Sequence, residues 1–192
     1  MFLLRSTVLL LVLLASLSCR RDEQVHTDSK GEAKSPAQRG ASAESAPGTD
    51  VGSTMPEYAA LTLDGAKWAL ADKRGKVVLL NLWATWCGPC VFEIPELQVI
   101  HEKYAPRGFE VVGVSLDESG PESVKSFIAD QKKMTYPVVL DAEGKLANLL
   151  QTTMIPTSVI VDRNGRIVWK KAGAIMPNDK ELEEAIEKAV GG

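Results

Sequence analysis

The 192-residue sequence contains only three cysteines and two histidines, and these small numbers exclude several kinds of protein. Three cysteines are too few for the disulfide framework of a small secreted domain. Two of them, Cys87 and Cys90, form a C-x-x-C pair, but no second pair completes a four-cysteine zinc site. The sequence also lacks a G-x-G-x-x-G fingerprint, so the chain is not expected to take electrons from a nucleotide itself.

The sequence has no excess of positive charge either. Its formal net charge is -3 and no basic stripe is visible, so nucleic acid is not an expected partner. No segment of about 20–50 residues repeats, which argues against solenoid and propeller folds. Hydrophobic residues make up 45% of the chain, enough for the core of one domain accompanied by extra segments.

The apolar run at the N-terminus is shorter than a typical membrane span. Arg5 supplies positive charge, residues 8–14 are all apolar, and residues 6–18 carry no charge. Because a transmembrane helix needs about 20 apolar residues, residues 1–18 are predicted to be a secretory signal peptide. An uncleaved anchor is the alternative.

Cys19 comes directly after this run. The preceding residues, LLASLS, resemble a bacterial lipoprotein signal, in which the cysteine becomes the acylated first residue. Ser18 fits that pattern, whereas Ser16 stands where leucine is preferred. Acylation would also remove an otherwise unpaired thiol from an exported chain. Lipidation of Cys19 is therefore predicted, with ordinary signal cleavage before a free Cys19 as the alternative.

The composition changes between the predicted signal peptide and residue 56. Small and polar residues dominate there, so the segment cannot bury enough apolar surface to offset its ordering entropy. Residues 19–55 are predicted to be a flexible tether, or a spacer without a specific role. The folded domain is predicted over residues 56–192.

Within that domain, strand-like and helix-like segments alternate, and two short turns have hairpin signals at Asp64-Gly65 and Asn164-Gly165. Asn178 and Glu181 have the spacing of a capping box before the last helix. This order predicts an α/β fold with a mixed central sheet covered by helices on both faces. The main predicted elements are strands over 76–83, 109–116, 137–140, 157–161 and 166–170, and helices over 88–103, from 121 onwards, and over 179–190.

The C-x-x-C pair lies where a buried strand turns into a helix. Unpaired N–H groups at a helix start favour negative charge, and therefore favour a cysteine thiolate. Pro89 suits the first helical turn. Cys87 is predicted to be the exposed attacking thiol, and Cys90 the buried thiol that resolves a mixed disulfide. A zinc site and a purely structural disulfide are the alternatives.

The segment LLNLWATWCGPCVFEIPEL resembles the active site of the thioredoxin superfamily, and in particular its TlpA/ResA-like branch of exported reductases. Glu93 and Pro95 stand at the spacings of that branch's C-x-x-C-x-x-E-x-P pattern. The likeness covers about residues 56–190. It implies a thioredoxin-like fold with an N-terminal β-hairpin and a strand-helix insertion over about 117–141.

The resemblance also implies a substrate-binding surface. The segment TMIPT matches the cis-proline loop, which implies a cis bond before Pro156 and pairing of Ile155 with the substrate backbone. Trp86 resembles the exposed family tryptophan of the docking surface. Gly88 and Pro89, between the cysteines, complete the predicted substrate-binding residues.

Asn81 stands six residues before Cys87, where ordinary thioredoxins carry a buried aspartate. Asparagine cannot exchange a proton at working pH, so Glu93 is the candidate for proton traffic to the cysteines. Glu93 follows Cys90 by three residues, which places both on one face of a helix. A partly buried carboxyl group there is expected to have a raised pKa, and a solvated glutamate is the alternative.

These features predict an enzyme that reduces protein disulfides outside the cytoplasm, in the periplasm or at the cell exterior. Its only redox group would be the Cys87–Cys90 disulfide, with no metal and no added cofactor. The resemblance implies re-reduction by a membrane thiol carrier, oxidised protein thiols as substrates, and a possible role in cytochrome c maturation. The direction of the reaction stays open, because compartment and partners also determine it.

Two other functions of the same fold fit less well. A thioredoxin-fold metallochaperone would use C-x-x-x-C and a distal histidine, and the sequence has neither. A peroxiredoxin-like peroxidase would need threonine three residues before its reactive cysteine, where this chain has Ala84.

Overall fold

The structure is a computed structural model that describes residues 48–131 and 134–192. The predicted signal peptide, Cys19 and most of the predicted tether lie outside the described residues. Among the described residues, no helix is long and apolar enough to cross a membrane.

The strands and helices follow the predicted alternating order. The strands are β1 (Ala59–Thr62), β2 (Lys67–Ala69), β3 (Val77–Trp83), β4 (Phe109–Ser115), β5 (Val138–Leu140), β6 (Thr157–Val161) and β7 (Ile167–Ala172). The helices are α1 (Gly88–Tyr104), α2 (Pro121–Gln131), α3 (Lys145–Leu149) and α4 (Lys180–Gly191).

The seven strands form one mixed sheet in the order β2-β1-β5-β4-β3-β6-β7. Strands β3, β4 and β5 are parallel, and β6 runs antiparallel to β3. The β1–β2 hairpin is the predicted N-terminal hairpin, and α2 with β5 fills the predicted insertion. The predicted thioredoxin-like α/β fold is confirmed.

Strand β3 lies at the centre of the sheet because both of its faces are apolar. Val77 and Leu79 pack in one core layer, against the buried side of α1 and α4. Val78 and Leu80 pack in the other layer, where α3 covers the sheet. Side chains alternate between faces along a strand, so this continuous apolar run fills both layers.

Residues 48–55, which precede the predicted start of the domain at residue 56, contact the folded domain. Gly52 N–H donates to the Ile167 carbonyl at 2.7 Å, and Ile167 N–H donates to the Ser53 carbonyl at 2.9 Å. Met55 is buried in the layer under α3. The segment 48–55 therefore lies along the start of β7, although its polar composition predicted a tether.

Two local predictions differ from the structure. Asp179, not Asn178, is the N-cap of α4, and its carboxylate accepts from Leu182 N–H at 3.2 Å. Asn178 instead has a left-handed backbone, with a φ of 60°. Helix α3 was not predicted, since its five residues are too few to show a helical period. The Asp141 carboxylate caps its start by accepting from the Lys145 and Leu146 N–H groups.

The fold places the C-x-x-C pair at the carboxyl end of β3. Strand β6 begins where β3 ends, with Thr157 opposite Leu82, so the proline before β6 lies next to that end. On the other side, Ser115 at the end of β4 pairs with Trp83. The loop before β6 and the loop after β4 therefore converge on the turn between β3 and α1.

Candidate active site

Cys87 and Cys90 form a disulfide between the N-cap and the first turn of α1. Cys87 is 6% exposed and Cys90 is 1% exposed. Cys87 is thus the more accessible sulfur, as predicted, but it is less exposed than expected. Its sulfur is bonded to Cys90 and lies 4.0 Å from the Ile155 carbonyl oxygen, which limits access to it.

The start of α1 places one backbone N–H group, with its positive partial charge, against the Cys87 sulfur. Cys90 N–H donates to Cys87 Sγ at 3.3 Å. Gly88 and Pro89 form the first helical residues, and both are exposed. Such an N–H group stabilises a sulfur that carries negative charge, which favours the thiolate after reduction.

The predicted cis-proline loop faces the disulfide. The Ile155–Pro156 peptide bond is cis, as the resemblance implied. Ile155 is half-buried and its carbonyl is the group that lies next to Cys87. Thr157 Oγ1 donates to the Met154 carbonyl at 2.7 Å. This bond joins the residue before Ile155 to the residue after Pro156 and so closes the loop.

Glu93 is fully buried on α1, so it is not a solvated helix residue. Its Oε1 accepts from Asn81 Nδ2 at 2.7 Å, and its Oε2 accepts from Ile175 N–H at 2.7 Å. Asn81 Nδ2 also donates to Ser158 Oγ at 3.0 Å. Strand β3 and the loop after β7 therefore meet α1 at this carboxyl group.

Burial raises the pKa of Glu93 to about 7. The two hydrogen bonds and the positive charge of Lys171 favour the ionised form, but they offset only part of the desolvation cost. Burial raises the pKa of Tyr136, and the negative charge of nearby Glu93 raises it further. Glu93 can therefore gain or lose a proton near neutral pH.

Asp117 is a site residue that the sequence did not reveal. Its buried carboxylate accepts from Thr85 N–H at 3.1 Å, from Thr85 Oγ1 at 2.5 Å and from Ser115 Oγ at 2.7 Å. Thr85 lies two residues before Cys87, so Asp117 fixes the turn that leads into the disulfide. Its position just after β4, the parallel neighbour of β3, is the signal that could have identified it.

The two tryptophans near the disulfide have different roles. Trp83 is buried in the core. Its indole nitrogen lies against Gly113, so that a Cβ atom added to Gly113 would be only 2.9 Å from this nitrogen. Trp86 is exposed beside Cys87, as the resemblance implied. His101 is structural, because its Nδ1 accepts from Val111 N–H at 3.2 Å. Burial lowers its pKa, in keeping with that neutral acceptor.

Within residues 48–131 and 134–192, no three histidine, cysteine, aspartate or glutamate side chains cluster as metal ligands would. The site thus consists of a disulfide at a helix start, a cis-proline loop and a buried carboxyl group. This arrangement can carry out thiol–disulfide exchange, with Glu93 as a proton donor or acceptor.

The sequence matches the Redoxin family over residues 50–186. It is 32% identical over 139 residues to the thiol-disulfide oxidoreductase ResA of Bacillus thuringiensis subsp. konkukian, covering 72% of this chain and 78% of that protein. It is 35% identical over 132 residues to the ResA of Geobacillus kaustophilus, covering 68% of this chain and 74% of that protein.

Solved structures show the same architecture. A Chlorobium tepidum protein assigned as the thiol:disulfide interchange protein DsbE superposes with a TM-score of 0.68 and 34% identity, over 74% of this chain and 99% of that chain. StoA from Bacillus subtilis superposes with a TM-score of 0.56 and 28% identity, over 67% of this chain and 95% of the StoA chain.

The raised pKa of Glu93 predicts a specific dependence of stability on pH. Between about pH 4.5 and pH 7 the folded protein holds a proton that the unfolded chain has released. The free energy of unfolding should therefore fall as pH rises through this window, by a total on the order of 3 kcal/mol from this group. Glu93→Gln should remove this fall, measured by urea unfolding of the oxidised protein at several pH values.

Glutamine has one carbonyl oxygen for two N–H donors, so Glu93→Gln should also lower stability at every pH. The informative quantity is the slope against pH, not the absolute value. Glu184→Gln, at an exposed position of α4, is the matched control and should keep the slope of the unchanged protein. Equal slopes for all three proteins would show that Glu93 does not titrate in this range.

Proposed function

Because the chain belongs to the Redoxin family and to the TlpA/ResA-like branch of the thioredoxin superfamily, we propose that it is a thiol–disulfide oxidoreductase that reduces protein disulfides outside the cytoplasm. The observation that carries this proposal is the Cys87–Cys90 disulfide at the start of α1, beside the cis-proline loop. The relatives named as thiol-disulfide oxidoreductases agree with this chemistry.

The reaction proceeds by two exchanges. The Cys87 thiolate of the reduced protein attacks one sulfur of a substrate disulfide, which forms a mixed disulfide and releases one substrate thiol. The Cys90 thiolate then attacks Cys87 Sγ, which releases the second substrate thiol and forms the Cys87–Cys90 disulfide. Two electrons pass to the substrate, and the two released substrate thiolates take up protons from water.

Glu93 moves the proton of Cys90. It lies one helical turn after Cys90, is shielded from water, and has a pKa of about 7. An ionised Glu93 can accept the Cys90 proton when the mixed disulfide is resolved, and a protonated Glu93 can return it when the disulfide is reduced again.

The substrate rests on the cis-proline loop. Ile155 pairs with the substrate backbone, Pro156 holds the loop against the disulfide, and Trp86, Gly88 and Pro89 contribute exposed docking surface. The substrates are oxidised protein thiols, among them the haem-binding cysteines of apocytochrome c. A membrane thiol carrier returns electrons to the Cys87–Cys90 disulfide.

The protein is exported and held at the membrane by a lipid on Cys19. Residues 1–18 direct export, the polar segment between Cys19 and the packed residues 48–55 connects the lipid to the domain, and the domain acts in the periplasm or at the cell exterior. The apolar run before Cys19 and the polar composition after it support this arrangement.

Substitution of each cysteine tests the exchange mechanism. Cys87→Ser should abolish dithiol-driven reduction of a protein disulfide, because the attacking thiol is absent. Cys90→Ser should instead accumulate mixed disulfides through Cys87, seen as adducts on non-reducing gels and by mass spectrometry. Cys19→Ser leaves both redox cysteines in place and is the control for turnover. Turnover retained by Cys87→Ser would contradict the mechanism, and a reduction potential near about -120 mV would contradict the reductase direction.

The role of Glu93 is tested by titrating the thiols of the reduced protein. An ionised carboxylate next to the cysteines opposes thiolate formation, so Glu93→Gln should lower the apparent cysteine pKa values and slow turnover near neutral pH. The measurements are thiolate absorbance and turnover against pH, with the values assigned to the coupled set of groups. Superimposable curves and equal rates would show that Glu93 takes no part in proton transfer.

Acylation of Cys19 is tested by mass spectrometry of the mature protein from membranes. A lipid-modified Cys19 at the mature N-terminus is expected, and Cys19→Ala should release the protein from the membrane fraction or block its maturation. An unmodified Cys19 within a mature chain would contradict the anchor while leaving the redox proposal intact.

A further inference from the structure

Basic side chains gather at the end of the sheet opposite the disulfide. Strand β3 starts there at Val77 and runs about 20 Å to the end that carries the redox pair. The turns at this end adjoin, since Gly75 N–H donates to the Arg163 carbonyl at 3.0 Å and Val77 N–H to the Gly108 carbonyl at 2.9 Å. These turns and the end of α4 are here called the basic pole, whose seven basic residues are Lys73, Arg74, Lys76, Arg107, Arg163, Arg166 and Lys188.

Arg163 holds the segments of the pole together. Its guanidinium group donates to the backbone oxygens of Ala189 at 2.9 Å and Gly192 at 3.2 Å, at the end of α4. It also donates to the Arg107 carbonyl at 3.2 Å, in the turn before β4. The basic residues of three separate segments therefore face one surface, although they are far apart in the sequence.

The charge of the pole contrasts with that of the rest of the domain. Residues 48–192 contain sixteen basic and twenty acidic residues, and all four of their arginines lie at the pole. The acidic residues in the segments of the pole are Asp50, Asp72, Glu110, Asp162 and Glu187. Nine basic and fifteen acidic residues are left for the rest, so the domain is positive at one end and negative elsewhere.

Two carboxylates of the pole are already paired with basic side chains. Glu110 lies 3.0 Å from Lys73 Nζ and 3.9 Å from Lys76 Nζ. Glu187 lies 2.8 Å from Arg107 Nη1. Neither carboxylate therefore presents unpaired negative charge to a partner.

Three basic side chains of the pole are left without a countercharge. Among the described residues, no ion pair includes Arg74, Arg166 or Lys188. The Arg74 guanidinium lies over Gly165, where a Cβ atom would overlap with it, and Arg166 donates to the neutral Gly52 carbonyl at 2.5 Å. Arg74 and Lys188 are exposed. These groups are available to anions.

A cleft of about 500 Å³ opens at the pole between the β6–β7 turn and the end of α4. Arg166 and Lys188 line it together with Asp162, and Val168 and Ala185 supply apolar area. Basic groups beside apolar area match the surface of an anionic bilayer, where phosphates lie next to glycerol and acyl carbons.

The polar segment that leads from Cys19 also reaches the domain at this pole. Gly52 N–H donates to the Ile167 carbonyl and Met55 N–H to the Gly165 carbonyl, so residues 48–55 lie against the start of β7. In the proposed lipoprotein, the connection to the lipid therefore arrives beside the basic side chains and not beside the disulfide.

We propose that the basic pole is a membrane-docking surface, which binds the anionic headgroups of phospholipids and directs the disulfide away from the bilayer. This inference rests on the proposed anchorage at Cys19 for its setting, but it does not depend on reductase activity. Attraction between a few basic side chains and an anionic surface is weak and reversible. The docked domain presents its disulfide to substrates, and the released domain is free to turn towards the membrane thiol carrier.

The first experiment measures binding to vesicles without a lipid on the protein. The chain from residue 19 onwards, carrying Cys19→Ser, is mixed with vesicles of phosphatidylcholine alone or of phosphatidylcholine with phosphatidylglycerol. It should sediment only with the anionic vesicles, and increasing salt should release it. Binding to neither kind of vesicle, or equally to both, would overturn the inference. Release by a low concentration of soluble glycerol phosphate would also overturn it, in favour of a discrete phosphate site.

The second experiment removes three charges from the pole by combining Arg74→Gln, Lys76→Gln and Lys188→Gln in the same protein. All three side chains are exposed, so the fold should be retained. The partition coefficient for anionic vesicles should fall about 100-fold, because each basic group near such a surface contributes about fivefold.

The matched control combines Lys67→Gln, Lys145→Gln and Lys180→Gln, which changes the net charge equally at exposed positions outside the pole. It should weaken binding by less than about threefold. Equal losses in the two triple variants would show that net charge, and not the pole, determines binding.

The orientation is tested on the reduced protein bound to anionic vesicles. A charged, membrane-impermeant thiol reagent should modify the cysteines as fast as in the free protein, because the disulfide side faces water. Strong protection by the vesicles would contradict this orientation.

Reduction of a soluble protein disulfide, measured without vesicles, separates this inference from the proposed function. Both triple variants should keep the turnover of the unchanged protein, since the redox site is untouched. Vesicle binding without any disulfide reduction would leave docking in place and contradict the proposed reductase. Reduction without vesicle binding would leave the reductase in place and overturn docking.

Discussion

The carboxyl group of Glu93 is the interaction on which the arrangement around the disulfide depends. Through its two oxygens it joins helix α1 to the Asn81 side chain of β3 and to the Ile175 backbone in the loop before α4. The first contact aligns the helix that carries both cysteines with the central strand. The second contact holds the loop that exposes Met176. One buried group therefore joins the helix of the redox pair both to the central strand and to the loop before α4.

The topology of the sheet explains why these groups meet at one place. Strand β3 is flanked by parallel β4 and antiparallel β6, so the end of β4 and the beginning of β6 both lie beside the carboxyl end of β3. Asp117 follows β4 and fixes the turn at Thr85, while Pro156 precedes β6 and places its loop against the sulfurs. The redox pair thus has a support on each side.

The ionisable and apolar groups of the site are separated by depth. The carboxyl groups of Glu93 and Asp117 are buried, where low polarity strengthens their hydrogen bonds, and burial also raises the pKa of Glu93. The apolar side chains of Trp86, Phe92, Met154 and Met176 are instead exposed on the surface.

Strand and helix periods and the C-x-x-C motif are local patterns, so the sequence by itself determined the α/β class and the reactive pair. The thioredoxin-like fold and the cis bond before Pro156 were implied by the resemblance of contiguous motifs to the thioredoxin superfamily. Local patterns also revealed Glu93 as the candidate proton carrier, but not its partners. The burial of Glu93 depends on Ile175, 82 residues away, and the turn before Cys87 depends on Asp117, 32 residues beyond Thr85. The cap of α4 at Asp179 and the packing of segment 48–55 on β7 were likewise decided by the tertiary structure. Contacts between distant segments determine which polar group is buried, and no short window of sequence contains both partners.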